Sequence, residues 1–337
     1  MKTKYDYKIS SIRLLAFCMI VSCHICQFYD LELAWWLNVG VEIFLCISGY
    51  LYGKVHEINN ILEFYQKRLI KICTPYYVTI IPVLLFYYFF VDKLSIIKII
   101  KILLLNETLD GGGYLWFVPL IIMCYVITPL LQIVFEKNNT KQNFCLKFVK
   151  SAIVLTIIFG LFIPYFNIGY ILCYLIAYCI GVNERDKVFD GETILYALCP
   201  LTLLNLIQIY FDYIYKINLV GMTLKLYRIF TLFNHIWLGL FIFLLLKNIV
   251  LSKKHYKPIE IKLLNKTDLY SYDGYLTHQF FILGPFSLMK LTSNNLFNIV
   301  IALFCIIISA YGVHFISEKL IQWWRMNVEF CEREIER

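Results

Sequence analysis

A small set of ionisable side chains lies within long apolar stretches of this sequence, where charge is out of place. Placing an Arg, Lys or Asp mid-helix in a bilayer costs about 2.5–3.5 kcal/mol on insertion scales, so such residues are first candidates for binding charge or moving a proton. The set comprises Arg13, His24, Glu42, His235, Asp273, His278 and His314.

Arg13 and His24 form the most informative pair. They are eleven positions apart, which is close to three turns of an α-helix, so both side chains share one face, roughly 16 Å apart along the axis. A guanidinium can hold a phosphate or a carboxylate, and a histidine deep in a helix bundle can act as a base. The alternative is that Arg13 snorkels to the headgroups and His24 bonds a neighbouring helix. The pair together, with Glu42 on the next helix, favours function.

Glu42 lies in an apolar stretch, so we predict that it is protonated or paired, with Arg13 or His24 as its partner. In the same stretch, Gly49 and Gly53 form a G-x-x-x-G pattern. This pattern indicates close packing of helices rather than ligand binding.

Two further polar groups precede or enter predicted spans. Arg68 and Lys71 are at positions i and i+3 and are therefore neighbours on a helix, although positive-inside anchoring alone would explain them.

In the polar stretch 270–279, Asp273 and His278 are five residues apart and do not share a face. His235 and His314 have no evident companions, and we predict structural roles for both.

Composition places the chain in a membrane. Of its 337 residues, 60% are apolar and only 16% are charged, and the mean hydropathy is +0.69. Globular domains carry about 25% charged residues, and one soluble core could not bury such an apolar excess. The net charge of +8 is spread between the apolar runs, as topogenic charge is, so we expect no nucleic-acid partner.

The twelve cysteines fall mostly in apolar stretches, where Cys behaves as a small hydrophobic residue. Cys23 and Cys26 form a lone C-x-x-C pattern, and a metal site needs more ligands at set spacing. We therefore predict neither disulfides nor a metal.

A spanning helix needs about 20 mostly apolar residues, and the chain offers ten such stretches. We predict an all-α, polytopic transmembrane helix bundle with spans at 9–29, 34–53, 70–91, 114–135, 151–166, 168–183, 193–211, 229–250, 268–290 and 297–321. The fifth and sixth are short, and a re-entrant pair joined at 164–167 is the alternative. Most of the 31 Lys and Arg residues fall in the segments predicted to lie inside, which predicts cytoplasmic N- and C-termini.

The segment 94–105 has Lys98 and Lys101 on one face and isoleucines on another, which is typical of a helix lying in the membrane interface. No hydrophilic stretch is long enough to form a soluble domain. We therefore expect residues 1–337 to form one transmembrane domain, with a core at about 9–321 and a charged cytoplasmic tail at 322–337.

These features resemble the acyltransferase-3 family of bacterial membrane acyltransferases. The resemblance covers residues from about 9 to 320 and is densest in the first 80. It rests on the order and spacing of five motifs: Arg13-x10-His24, the Gly40–Gly53 stretch, Arg68 with Pro75, Tyr114–Pro119, and Ser271-Tyr272-x-x-Tyr275-Leu276-x-His278.

The resemblance implies a membrane domain of ten or eleven helices that moves an acyl group, usually acetyl, from cytoplasmic acyl-CoA to a hydroxyl of a cell-surface glycan or its lipid-linked precursor. It implies that His24 is the catalytic histidine and that Arg13 and Arg68 belong to the donor site. The chain departs from the family in one respect: where Arg-x-x-Arg is common, it has Arg68-x-x-Lys71, and Lys lacks the bidentate fork of Arg.

The expected protein is thus an O-acetyltransferase of the cell membrane that uses acetyl-CoA and no metal. A thioester is already activated, so His24 as general base suffices, with Glu42 orienting it or balancing Arg13; an acetyl-His intermediate is the alternative. Arg13, Arg68 and Lys71 are expected to hold the phosphates or pantetheine end of CoA.

The acceptor site is less readable from the sequence, and the expected acceptor is a glycan or a lipid-linked sugar. Its candidate residues are Trp116, Tyr272, Asp273 and His278. The main alternative function is a transporter or flippase for a glycan or lipid precursor, because many spans with intramembrane charge also suit translocation.

Overall fold

The computed structural model describes residues 7–55, 58–91, 94–109, 112–137, 141–163, 167–186, 191–216, 218–252 and 257–335. Within these ranges the chain is helical and has no β-strand. The helices are α1 (Tyr7–Phe28), α2 (Leu33–Leu37), α3 (Gly40–Gly53), α4 (Ile61–Phe86), α5 (Ile96–Leu103), α6 (Phe117–Glu136), α7 (Lys141–Phe162), α8 (Ile171–Arg185), α9 (Gly191–Thr202), α10 (Leu204–Ile209), α11 (Gly221–Ser252), α12 (Pro258–Ile282) and α13 (Asn295–Ile335).

Short segments of other helix types join several of these helices. Two are 3₁₀ turns, at Gly113–Trp116 and Asn167–Tyr170, and two are π-helical, at Tyr87–Val91 and Tyr210–Ile214. The all-α fold class predicted from the sequence is confirmed for the described residues.

Seven helical segments of the described chain are long and apolar enough to cross a membrane. Seven of the ten predicted spans overlap these segments: 9–29, 34–53, 70–91, 114–135, 229–250, 297–321 and the described part of 151–166. The spans predicted at 168–183 and 193–211 correspond to shorter helices, and α12 carries too many polar residues to qualify. The predicted joint between the fifth and sixth spans lies largely outside the described residues, at 164–166.

The chain divides into two compact units. The first contains the residues up to Ile20, Trp35–Asn59 and Val126–Asn265, and the second contains Val21–Ala34, Asn60–Tyr125 and the residues from Lys266 onward. Helix α1 therefore contributes its first part to one unit and its second part, with His24, to the other.

In the first unit, α3 packs closely on α8 because glycines line both sides of the contact. A Cβ on Gly49 would lie 2.2 Å from the Tyr174 carbonyl oxygen, and one on Gly181 would lie 2.3 Å from the Tyr50 carbonyl oxygen. A Cβ on Gly53 would likewise lie 2.2 Å from the Tyr178 carbonyl oxygen. The packing role predicted for the G-x-x-x-G pattern is confirmed.

In the second unit, α4 packs against α13 and also supports α5. The hydroxyl groups of Tyr76 and Tyr77 donate to the carbonyl oxygens of Ile102 and Leu103, at 2.8 and 3.0 Å. The Ser95 side chain caps the N-terminus of α5 by accepting from the Lys98 amide. The helix predicted in this segment is confirmed, with Ile96 and Ile100 exposed and Ile102 buried, and its location in the membrane interface stays a prediction.

Candidate active site

His24 lies near the end of α1, with its side chain buried. Its Nδ1 is 2.6 Å from Oε1 of Gln27, one turn further along the helix. An amide oxygen only accepts hydrogen bonds, so this contact places the imidazole proton on Nδ1 and leaves the lone pair on Nε2. Nε2 is therefore the nitrogen that can take a proton from a substrate.

The ring of His24 belongs to an aromatic cluster within the second unit. Its centroid is 5.0 Å from the ring of His278 on α12 and 6.1 Å from the ring of Tyr114, and the last two rings are 4.9 Å apart. His278 is fully buried, and its Nδ1 is 2.6 Å from the Tyr275 carbonyl oxygen. The structure thus brings together the two histidines that the sequence analysis predicted in different parts of the site.

Reciprocal hydrogen bonds hold the tyrosines of this cluster. The Tyr114 hydroxyl donates to the Leu276 carbonyl oxygen, and the Tyr275 hydroxyl donates to the Tyr114 carbonyl oxygen. Both tyrosines are buried, so each bond satisfies a hydroxyl group that would otherwise be costly to bury. The pair ties the 3₁₀ turn Gly113–Trp116 to α12 beside the two histidines.

Other predicted site residues of this unit lie on α4, α12 and the 3₁₀ turn. Arg68 and Lys71 lie in the first half of α4, and Lys71 acts electrostatically on Asp273. The Tyr272 hydroxyl donates to the Ile72 carbonyl oxygen at 3.1 Å, which connects α12 to α4. Trp116 closes the turn that carries Tyr114 and is half-buried.

Arg13 lies on α1, in the part of that helix that belongs to the first unit. Because α1 is continuous from Tyr7 to Phe28, the helical spacing predicted for Arg13 and His24 holds along the whole segment between them. The two residues therefore share one face of one helix.

Glu42 has a different partner from the one predicted. Its Oε1 is hydrogen-bonded to Nδ1 of His235 on α11, whereas Arg13 or His24 was expected. The physical reason is the close approach of α11: a Cβ on Gly239 would lie 2.5 Å from Cβ of Glu42, and His235 is one turn before that glycine. The prediction that His235 has no companion was wrong.

The second ring nitrogen of His235 fixes the charge of this pair. Nε2 lies 3.0 Å from the Trp35 carbonyl oxygen, which only accepts, so Nε2 carries a proton. One further proton lies between Nδ1 and Glu42 Oε1, and whichever atom holds it, the pair has no net charge. Glu42 is fully buried, and its Oε2 has no hydrogen-bond partner among the described residues.

Asp273 also pairs with a histidine that the sequence analysis set aside. Its Oδ2 accepts from Nδ1 of His314 on α13 at 2.9 Å. The expectation that Asp273 does not pair with His278 agrees with this arrangement, but the prediction that His314 lacks a companion was wrong. Helices α12 and α13 are also in contact through Tyr270 and Tyr311, whose ring centroids are 5.9 Å apart.

Sequence reasoning thus missed Gln27 as part of the His24 site, and it used Tyr114 and Tyr275 only as parts of motifs. Gln27 had a usable signal, because it is three residues after His24 and so lies on the same helical face. Tyr114 and Tyr275 reach the site through contacts between distant segments, which one sequence does not reveal. In the described part of the chain, no group of three or more His, Cys, Asp or Glu residues could hold a metal ion.

The apolar helical segments of the described residues indicate a multi-pass helical membrane protein. The family model described as an acyltransferase domain matches residues 6–316, nearly the whole chain. The chain therefore belongs to the acyltransferase-3 family, and the resemblance drawn from its motifs is confirmed. Comparison with curated proteins and with solved structures gave no match.

Proposed function

We propose that this membrane acyltransferase moves an acetyl group from cytoplasmic acetyl-CoA to a hydroxyl of a cell-surface polysaccharide or of its lipid-linked precursor. The proposal places the protein in the cell membrane with both termini in the cytoplasm. The observation that carries it is the His24 site: a buried imidazole whose Nδ1 faces Gln27, so that Nε2 is the basic nitrogen.

In the proposed reaction, Nε2 of His24 takes the proton of the acceptor hydroxyl as its oxygen attacks the thioester carbonyl carbon. The tetrahedral intermediate collapses by breaking the carbon–sulfur bond, and the imidazolium returns the proton to the CoA thiolate. The products are an O-acetyl ester and free CoA. General-base catalysis of this kind contributes typically about 10²–10⁴-fold to the rate.

The neighbours of His24 support this role. A base is effective only if its ring is held in the productive orientation, and the rings of Tyr114 and His278 pack beside it at 6.1 and 5.0 Å. Gln27 has the orienting role that the sequence analysis gave to Glu42. His278 and Trp116 remain our candidates for the acceptor site, with Tyr272 and Asp273 on the preceding turns of α12.

For the donor, the residues predicted from the sequence, Arg13, Arg68 and Lys71, remain our candidates to hold the phosphates or the pantetheine end of CoA. Guanidinium and ammonium groups suit this task because they donate charge-assisted hydrogen bonds to phosphate oxygens. Lys71 acts as a point charge, where Arg would bind through two parallel bonds.

The experiment compares cell-surface glycan acetylation, measured by NMR of extracted polysaccharide, in a deletion strain that carries wild type, His24→Ala or Cys26→Ala. Cys26 lies on the same helix and serves as the matched control. We expect O-acetyl signals with wild type and Cys26→Ala, and none with normally expressed His24→Ala. Full acetylation by His24→Ala would refute the site. A loss of glycan export with unchanged acetylation would refute the enzyme in favour of a transporter.

A further inference from the structure

A cavity of about 280 Å³ opens between α12 and α13, within the second unit and separate from the His24 cluster. Its lining includes aromatic, basic and acidic side chains: Tyr270, Tyr311, His314, Phe315, Glu318 and Lys319. His314 is held in place by Asp273, which accepts from its Nδ1 at 2.9 Å.

The exposed face of α13 shows where this cavity lies relative to a bilayer. Phe304, Ile308, Tyr311 and Phe315 are each more than half exposed and follow one another at helical spacing. An exposed apolar stripe on a membrane helix faces lipid tails. Directly after Phe315, the same face continues with charged Glu318 and Lys319, which are also exposed.

Interfacial residues follow immediately. Trp323 and Trp324 lie one turn beyond Lys319, and tryptophans are enriched at the level of the lipid headgroups. The cavity therefore spans the level at which hydrocarbon gives way to headgroups. An occupant at this level has an apolar part towards Phe315 and a polar part towards Glu318 and Lys319.

We propose that this cavity binds the headgroup of a zwitterionic glycerophospholipid of the surrounding bilayer, of the phosphatidylethanolamine type. Lys319 pairs with the phosphate, and Glu318 pairs with the ammonium group. The ring faces of Tyr270 and Tyr311 add cation–π attraction for the same ammonium. One acidic and one basic side chain at the mouth of an aromatic cavity complement a ligand that carries both charges.

The test titrates the purified full-length protein with dioleoylphosphatidylethanolamine or dioleoylphosphatidylglycerol in detergent, with bound lipid counted by native mass spectrometry. Removing one basic charge near the headgroups weakens binding by about fivefold, so Lys319→Gln is expected to bind both lipids about fivefold more weakly. Glu318→Gln is expected to weaken only the ethanolamine lipid. Lys262→Gln, an exposed lysine on α12 that does not line the cavity, is the matched control.

Three results would overturn the proposal: no lipid retained by wild type, equal weakening by Lys262→Gln and Lys319→Gln, or equal effects of Glu318→Gln on the two lipids. All three positions are exposed, so the variants are expected to unfold at the wild-type temperature, which a thermal scan checks. Lipid occupancy is read without any transfer reaction, so its outcome is separate from that of the proposed acyltransferase function.

Discussion

The imidazole rings of His24 and His278 lie 5.0 Å apart, between centroids, although 254 residues of chain separate them. Tyr114 packs against both rings, and Gln27 accepts a hydrogen bond from Nδ1 of His24. The proposed base is therefore oriented on one side by its own helix and on the other by α12. This arrangement leads to the first prediction.

Gln27 is expected to act as a positioning residue for His24. Gln27→Leu removes the acceptor at Nδ1, which frees the ring and its tautomer, and we expect kcat to fall about tenfold while the KM for acetyl-CoA stays within about twofold of wild type. Gln27→Glu keeps an acceptor oxygen at the same place and should restore most of kcat. The measurement is CoA release by detergent-solubilised protein. A change confined to KM, or a Glu variant as slow as the Leu variant, would argue against positioning.

The Glu42–His235 pair is expected to act mainly on stability. Removing one partner of a buried pair leaves the other group unsatisfied and typically costs about 3–5 kcal/mol. Glu42→Ala and His235→Ala should therefore each lower the thermal unfolding temperature strongly, and the double variant should lose less than the sum of the two.

The same variants decide whether Glu42 has the catalytic role that the sequence analysis gave it. The stability of the two single variants and the double variant forms a double-mutant cycle. If the effect of changing Glu42 depends on His235 and kcat per folded molecule is unchanged, Glu42 serves the packing of α3 on α11. A large fall in kcat for Glu42→Gln at wild-type stability would instead show that Glu42 has a role in catalysis.

Glu184, which follows the predicted span 168–183, should make the stability pH-dependent. Burial alone would raise the pKa of this carboxyl, but hydrogen bonds from Lys247 and Tyr50 and the charge of Lys54 hold the pKa below its ordinary value. The stabilisation is therefore present above the unfolded-state pKa and is lost as the pH falls through the lower folded-state pKa.

The measurement for Glu184 is the thermal unfolding temperature of wild type and Glu184→Gln between about pH 3 and pH 7, which spans the ordinary Glu pKa near 4.3. Wild type should be the more stable at pH 7, and its advantage should shrink as the carboxyl becomes protonated. A difference that is constant across this range would contradict the prediction.

Gly49 should tolerate no larger side chain. A Cβ there would lie 2.2 Å from the Tyr174 carbonyl oxygen, so Gly49→Ala must push α3 away from α8, and overpacking of this kind costs about 1–3 kcal/mol. Gly113→Ala is the matched control, because nothing lies within 4 Å of the added Cβ. Equal unfolding temperatures for the two variants would show that the contact is looser than described.

Some features of this protein could be predicted from sequence because they depend on local spacing. Periodicity within one segment predicts three of them: that Arg13 and His24 lie on one helix, that α5 is amphipathic, and that the glycines of α3 form a close helix contact. The family could be recognised for a similar reason, since its motifs keep their order along the chain.

The partners of buried charges could not be predicted in this way. Glu42 joins His235, and Asp273 joins His314, because particular helices happen to be neighbours, and one sequence does not say which helices are. The hydrogen bond from the Tyr272 hydroxyl to the Ile72 carbonyl oxygen, which joins α12 to α4, depends on the same kind of neighbourhood and has no signal in one sequence.

The distance along the chain between Glu42 and His235 has a consequence for biogenesis. The two residues are 193 positions apart, so α3 is synthesised and delivered to the bilayer well before α11 leaves the ribosome. During that interval Glu42 lacks the imidazole that completes its neutral pair. A nascent chain truncated before α11 therefore keeps a carboxyl group without its histidine partner inside an apolar helix. That group distinguishes an unfinished chain from a complete one, and membrane quality control could recognise it.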